Sequence, residues 1–312
     1  YTTTAGTSNF RAGVNAGNSI TTGDYNVLLG DEAGTAIEAA ADNVAVGTSA
    51  LSSEVGGQNN VAVGRSALTA QSNSSGNIYN TAVGSYSGVT LSTGYSNTFA
   101  GAFSGYFATT ANNSVFVGTS AGKGITGVKL TGDNNTAVGS SAGSLLQGTA
   151  NANTLLGAAA GDNITTGDSN IVIGNGIDAA SATADGQINI GGIFTHDATD
   201  TIIDSPGDII LDADNGVWRF KDAGTTIFQV TRDGDSYCGL YSGVSNMDMR
   251  FQGNDGGATV TALTLDMSEA GAATFNAGIT STGLITTTAG TSNFRAGVNA
   301  GNSIASGGNY NV

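Results

Sequence analysis

From residue 9 to residue 191 a polar residue, usually Asn, is followed by three mostly apolar residues and a glycine. After a weaker copy at Asn9 to Gly13, this phrase returns ten times. It runs from Asn26-Val27-Leu28-Leu29-Gly30 through Asn43 to Gly47, Asn60 to Gly64, Asn80 to Gly84 and Asn97-Thr98-Phe99-Ala100-Gly101. It continues through Ser114 to Gly118, Asn135 to Gly139, Asn153 to Gly157, Asn170 to Gly174 and Gln187 to Gly191. The closing glycines lie 17, 17, 17, 20, 17, 17, 21, 18, 17 and 17 residues apart. Each apolar triplet is short and rich in Val, Ile, Ala and Thr, which predicts a strand. A constant period of this length predicts stacked coils of a β-solenoid, or parallel β-roll. Turn signals separate the strands. Small pairs such as Ser104-Gly105 and Ala121-Gly122 follow the closing glycine, and Thr22-Gly23-Asp24, Thr93-Gly94-Tyr95, Thr131-Gly132-Asp133 and Thr166-Gly167-Asp168 precede the next Asn. There glycine supplies positive φ and aspartate bonds the backbone. At about 4.8 Å per coil, ten intervals make a column roughly 50 Å tall, with each recurring Asn bonding the next in an internal ladder.

Within a triplet the first and third residues share one face. The second occupies the other and reads Leu28, Ala45, Ala62, Ala82, Phe99, Phe116, Ala137, Leu155, Val172. Both faces are therefore apolar, the pattern of a strand covered on both sides. A 17-residue coil is too small to cover both of its own faces. The outer one is expected to meet other copies of the chain, and threefold packing would bury it symmetrically as a homotrimer.

The beat ends near Thr195. Beyond it the alternation lengthens, predicting strands at 207–212, Val217-Trp218-Arg219-Phe220-Lys221, Thr226 to Thr231, Ala262 to Met267 and Ala272 to Phe275, with turns at 214–216 and 232–235. Thr2 to Ile20 then recur unchanged as Thr286 to Ile304, and Tyr25-Asn26-Val27 as Tyr310-Asn311-Val312. The organisation read from this is a roll over 1–196, a β-strand shaft or connector over 197–284, and from 285 to 312 the start of a second roll. A longer protein built of such units in tandem is expected.

Composition supports the all-β reading. With 49 glycines, one proline and 11% charged residues the chain is a poor helix former, while 39% apolar residues held in phase oppose a disordered linker. Nine basic residues scattered through a chain of net charge −15 lack the cluster that neutralises phosphates, so no nucleic-acid partner is expected. No apolar run reaches the ~20 residues of a membrane-spanning helix, so no membrane insertion is expected either. One cysteine, Cys238, excludes an intrachain disulfide.

The repeated Asn-Thr/Val-Ala-Val-Gly-x-x-Ala/Ser-Gly with its Thr-Gly-Asp turns resembles the head repeats of trimeric autotransporter adhesins. It is more similar to the repeat arrays of bacteriophage tail fibres, over roughly residues 9–191. Adhesin heads use coils shorter than seventeen, so that branch matches loosely. The segments beyond 202 resemble tail-fibre shaft modules. The resemblance implies a trimeric, left-handed parallel β-roll followed by an intertwined β-shaft. It implies a structural and adhesive role outside the cell, on a virion tail fibre or a cell surface, with a host glycan or protein as partner and no enzymatic activity. A bacterial trimeric surface adhesin is the alternative, with an ice-binding solenoid and a glycan-cleaving tailspike behind it.

Candidate chemistry is sparse. His196 is the single histidine and offers no metal site or Ser-His-Asp triad. Gly122-Lys123-Gly124-Ile125-Thr126-Gly127 spells a nucleotide-binding phrase, but no helix follows it. No cofactor is expected. Calcium or another divalent ion is left open at the turn aspartates Asp24, Asp133 and Asp168, which read first as hydrogen-bonded turn residues. The segment 212–216 resembles part of a calcium loop whose glycine comes one place early. Recognition chemistry concentrates in the middle coils. Tyr79, Tyr86, Tyr95, Phe99, Phe103, Tyr106 and Phe107 fall within 29 residues, and Tyr86 and Phe103 are one period apart, so their rings should stack as a platform for sugar faces. The two long coils place extra residues at 71–79 and 123–134, the second carrying the lysines of the roll, Lys123 and Lys129. Insertions of this kind often map to a binding face.

Overall fold

The computed structural model describes residues 6–196, 200–203, 217–233 and 237–276, all strand, turn and loop. The expected strand at 207–212, the turn at 214–216 with its calcium-like segment, the end of the turn at 232–235, the connector beyond 276 and the second roll lie outside these residues. The chain divides into two compact units, residues 1–208 and 209–312.

In the first unit the eleven triplets form three-residue strands: Phe10–Ala12, Val27–Leu29, Val44–Val46, Val61–Val63, Thr81–Val83, Thr98–Ala100, Val115–Val117, Thr136–Val138, Thr154–Leu156, Ile171–Ile173 and Ile188–Ile190. Each pairs in parallel with the next, equivalent residue beside equivalent residue, as in Thr98↔Val115, Phe99↔Phe116 and Ala100↔Val117. The result is a β-solenoid. Two further strands, Phe194–His196 and Thr201–Ile203, extend the sheet antiparallel, for a total of thirteen. The long coil after Gly64 keeps register by adding a strand of its own: Gly76–Asn77 pairs in parallel with Gly57–Gln58. The long coil after Gly118 does so through Leu130, which bridges Ala108 below and Gly148 above.

Parallel stacking in register puts the same turn residue of every coil in one column, so each column has its own chemical requirement. The closing glycines from Gly13 to Gly157 have φ between +128° and +138°, which side chains disfavour. Two residues later stands a left-handed position held by Ser49, Ser66, Tyr86, Phe103, Ser120 and Ser141, with φ between 57° and 59°. Its N–H bonds the coil below, as Phe103 does to Ser85 O at 3.0 Å.

The Asn column forms the internal ladder. Asn43 is representative: its backbone N–H and Nδ2 both donate to Asn26 Oδ1, and Nδ2 also donates to Gly57 O. Asn26, Asn43, Asn60, Asn80, Asn97, Asn135, Asn153 and Asn170 are fully buried, so these bonds satisfy amides that water cannot reach. Ser114 shortens one rung, accepting from Asn135 N–H through Oγ. A second ladder runs along the outer turn. Tyr95 N–H donates to Asn112 Oδ1, Asn112 N–H to Asp133, Asp133 N–H to Asn151, Asn151 N–H to Asp168 and Asp168 N–H to Asp185. The turn aspartates thus bond the neighbouring coil, not their own turn.

The second residue of each triplet faces the core. Leu28, Phe99, Phe116 and Leu155 are fully buried there, Phe99 and Phe116 stacked at 5.3 Å. The residue four places after each closing glycine packs against this column and answers its volume. Opposite the large side chains it is glycine: a Cβ on Gly34 would lie 2.8 Å from Leu28, on Gly88 2.8 Å from Phe99, and on Gly122 2.5 Å from Phe116. In the coils of Ala45 and Ala62 it is Leu51 and Leu68, both fully buried. In the coils of Ala82 and Ala137 it is again glycine, because Gly88 and Gly143 lie against Phe99 and Leu155 of the next coil, so small and large side chains interlock between coils as close packing requires.

The first and third residues of each triplet form the outer face. Val83, Val115, Val117, Leu156, Ile171 and Ile190 are between 36% and 48% exposed among the described residues.

In the second unit the described residues form two antiparallel three-stranded sheets. One contains Val217–Asp222, Thr225–Asp233 and Tyr237–Ser242; the other contains Met249–Asp255, Ala258–Asp266 and Ala272–Phe275. The alternation at 217–221, 226–231, 262–267 and 272–275 located four of these strands, while Tyr237–Ser242 and Met249–Asp255 were not expected. Trp218, Phe220, Leu240, Tyr241, Phe251 and Phe275 are 41–53% exposed, and the buried core of the chain contains solenoid residues alone among those described.

Candidate functional site

The middle coils bring four of the seven singled-out residues into one ring cluster. Tyr86 and Phe103 occupy the left-handed column on successive coils, which points both rings outward at one coil spacing. They lie parallel, with centroids 5.5 Å apart and planes within 8°. Tyr106 tilts against both, at 6.3 and 5.9 Å, and Phe107 meets Tyr106 edge-on at 4.6 Å. Arg65 caps the lower end, its guanidinium 5.3 Å from the Tyr86 ring centroid.

Above Phe103 the aromatics stop. One coil higher the same column holds Ser120, and the column of Tyr106 holds Lys123. This loss of side-chain volume opens a cleft of about 340 Å³ lined by Phe107, Ser120, Lys123, Ile125, Thr126, Ser141, Ser144 and Leu145. Gly124 also lines it. A Cβ there would come within 3.1 Å of Phe107 Cβ, and its φ of +74° favours glycine. The insertion after Lys123 supplies Ile125 and Thr126, so the long coil helps build this wall.

The remaining candidates stand apart from the cluster. Tyr95 is exposed and contributes its backbone N–H to the outer ladder. Lys129 is exposed and does not line the cleft; its carbonyl accepts from Gly148 N–H. Phe99, grouped with the recognition aromatics in sequence, is a core residue. Arg65 was missed in sequence, although one full repeat plus the three-residue insertion places it in the column just before Tyr86.

Elsewhere the chemistry is structural. Asp24 Oδ1 accepts from the Thr7 N–H and hydroxyl, and those two bonds, the backbone one first, hold its pKa below the ordinary value of 3.8. Among the described residues no group of three or more His, Cys, Asp or Glu could hold a metal ion. His196 Nδ1 lies 3.1 Å from Asp200 O.

Asp162 and Asp178 form a carboxylate pair in which one member's titration is raised. Partial burial, then repulsion by Asp178 and a hydrogen bond with it, raise the pKa of Asp162 above 3.8. The folded state therefore holds this proton more tightly than the unfolded chain. Its stabilising contribution is complete below the unfolded value and is lost as pH rises through the folded one. Asp162→Asn should raise the melting temperature near about pH 7 and leave it unchanged near about pH 3, measured by thermal denaturation.

No protein-family model, curated protein or solved structure matches this chain.

Proposed function

We propose that this chain is a non-enzymatic segment of a homotrimeric extracellular fibre, of the kind found in phage tails, that reaches and holds a host surface. The observation carrying this reading is the outer face of the parallel sheet. From Val27 to Ile190 two columns of mostly Val, Ile and Leu side chains, with Thr81, Thr98, Thr136, Thr154 and Ala100 among them, run from coil to coil without a charged residue and are partly or largely exposed within one chain. A contiguous apolar surface of this kind marks a contact with another chain. Three copies about one axis bury three such faces symmetrically and leave no open end to the association.

The second unit supports the same reading. A three-stranded sheet with its aromatic residues exposed has too little core to stand alone, and intertwining with two other copies supplies one. The solenoid then acts as a stiff spacer, and its exposed turns present whatever the fibre carries to a surface. Many copies on one virion add avidity without a tight single contact.

Light scattering of the purified chain tests the assembly. The expected mass is three times 30.7 kDa and persists on dilution. A folded monomer would overturn the fibre reading.

A further inference from the structure

The aromatic cluster and the cleft above it meet at Phe107, which packs on Tyr106 and lines the cleft, and their chemistry selects a ligand. We infer that this surface binds an acidic glycan, with sugar faces on the rings of Phe103 and Tyr106 and a sugar carboxylate in the cleft against the ammonium group of Lys123. The inference rests on the attachment role proposed above and specifies its partner.

The charge distribution supplies the first argument. The whole chain carries −15, and the described solenoid residues contain four cations, Arg11, Arg65, Lys123 and Lys129. Two of these four belong to the aromatic surface: Arg65 caps Tyr86 and Lys123 stands in the cleft. A chain of strong net negative charge has placed one cation on the exposed ring stack and another in the cleft that adjoins it. No ion pair engages Lys123 among the described residues, where the single salt bridge joins Arg250 to Asp248. Its partner is therefore to come from outside.

Shape and hydrogen-bonding capacity supply the second. The cleft lining combines the apolar side chains of Phe107, Ile125 and Leu145 with the hydroxyl-bearing Ser120, Thr126, Ser141 and Ser144. A sugar has the same division, with C–H groups on its faces and hydroxyls at its rim, so stacked rings take the face and serines take the edge. A neutral sugar would leave the lysine unpaired, whereas a uronic or sialic acid gives it a charge-assisted bond.

Third, the site and the proposed contact between copies use different residues. Every lining residue follows a closing glycine, Gly101, Gly118 or Gly139, and none belongs to a strand. Packing of the sheet faces against other copies therefore leaves the site's own residues uncommitted, and a trimer would present three sites.

The test is binding of the full chain to an array of uronate-bearing, sialate-bearing and uncharged oligosaccharides, repeated with Lys123→Met and Phe103→Ala. Carboxylate-bearing glycans should be retained, with affinity falling about tenfold for Lys123→Met and by a similar factor for Phe103→Ala. Raising the salt concentration should weaken the parent chain and not Lys123→Met. Circular dichroism and the light-scattering mass confirm that the variants fold and assemble as the parent does. Binding of uncharged glycans alone, binding of none, or acidic-glycan binding unaffected by Lys123→Met would overturn the assignment. A trimer that fails these binding tests overturns the glycan site and leaves the fibre; a monomer that passes them does the reverse.

Discussion

Gly101→Ala should destabilise the solenoid by about 4 kcal/mol or more, because it combines backbone strain with a clash that no side chain can relieve. Gly101 has φ +134°, a region that residues with a Cβ rarely enter. Its added Cβ would sit 2.4 Å from Gly118 O and 2.5 Å from Gly118 C, both main-chain atoms of the next coil. Relief requires the two coils to part, which stretches the bonds across that step, among them Gly118 N–H to Ala100 O at 2.7 Å. The strain term alone accounts for roughly 1–3 kcal/mol. Chemical denaturation of the variant measures the loss. Gly127→Ala serves as the control: its Cβ would meet nothing within 4 Å, and the change should stay within about 0.5 kcal/mol. Equal effects at the two positions would mean that the coil spacing is set by something other than glycine.

Glu54→Ala should cost about 3–5 kcal/mol, because several buried donors lose their acceptor at once, at roughly 1–3 kcal/mol for each left unmet. Glu54 is fully buried in the column that holds Ile20, Ile37 and Leu91 in other coils. Its Oε1 accepts from the backbone N–H groups of Val55, Gly56, Gly57 and Asn73, the closest at 2.6 Å. Its Oε2 accepts from Gln71 Nε2 at 2.8 Å and from Asn73 Nδ2 at 3.4 Å. Successive amides aimed at one oxygen form a nest that favours an anion without a cationic partner. The cluster also anchors the 20-residue coil, because Gln71 Oε1 accepts from Asn80 Nδ2 and so joins the insertion to the Asn ladder. Alanine would leave these donors buried and unmet. Glu54→Gln should fall between: it keeps one oxygen on the nest but turns an amide N–H₂ toward Gln71 Nε2. Gln71 cannot flip to receive it without releasing Asn80. The expected cost is about 1–2 kcal/mol, read from the same denaturation curves. A Glu54→Gln variant weaker than Glu54→Ala would contradict this account.

Much of the fold was legible in the sequence because a solenoid stacks like on like. Asn at a constant offset before each glycine lies beside its equivalent one coil away, so the ladder followed from recurrence. Tyr86 and Phe103, one period apart, stack in the structure for the same reason. Other features needed the coil path. Phe99 and Phe103 are four residues apart in one coil, yet one is core and the other surface, and only the turn after Gly101 separates them. Glu54 and Gln71 read as surface residues by type, while their column places them inside. The alternation of glycine with Leu51 and Leu68 is present in the sequence, but its meaning depends on knowing that this position packs on the strand's second residue. The cleft was legible only as an insertion containing lysine. That Lys123 lines it and Lys129 does not is decided by where the inserted loop folds back.

The sequence by itself therefore determined the all-β stacked architecture, its period and its ladder residues, since a repeating chain in parallel register must satisfy the same bonds at every step. Tertiary structure alone decided which apolar face of each strand is core and which is left outside. Both faces carry side chains of the same kind, and only the closure of the coil over one of them distinguishes the two.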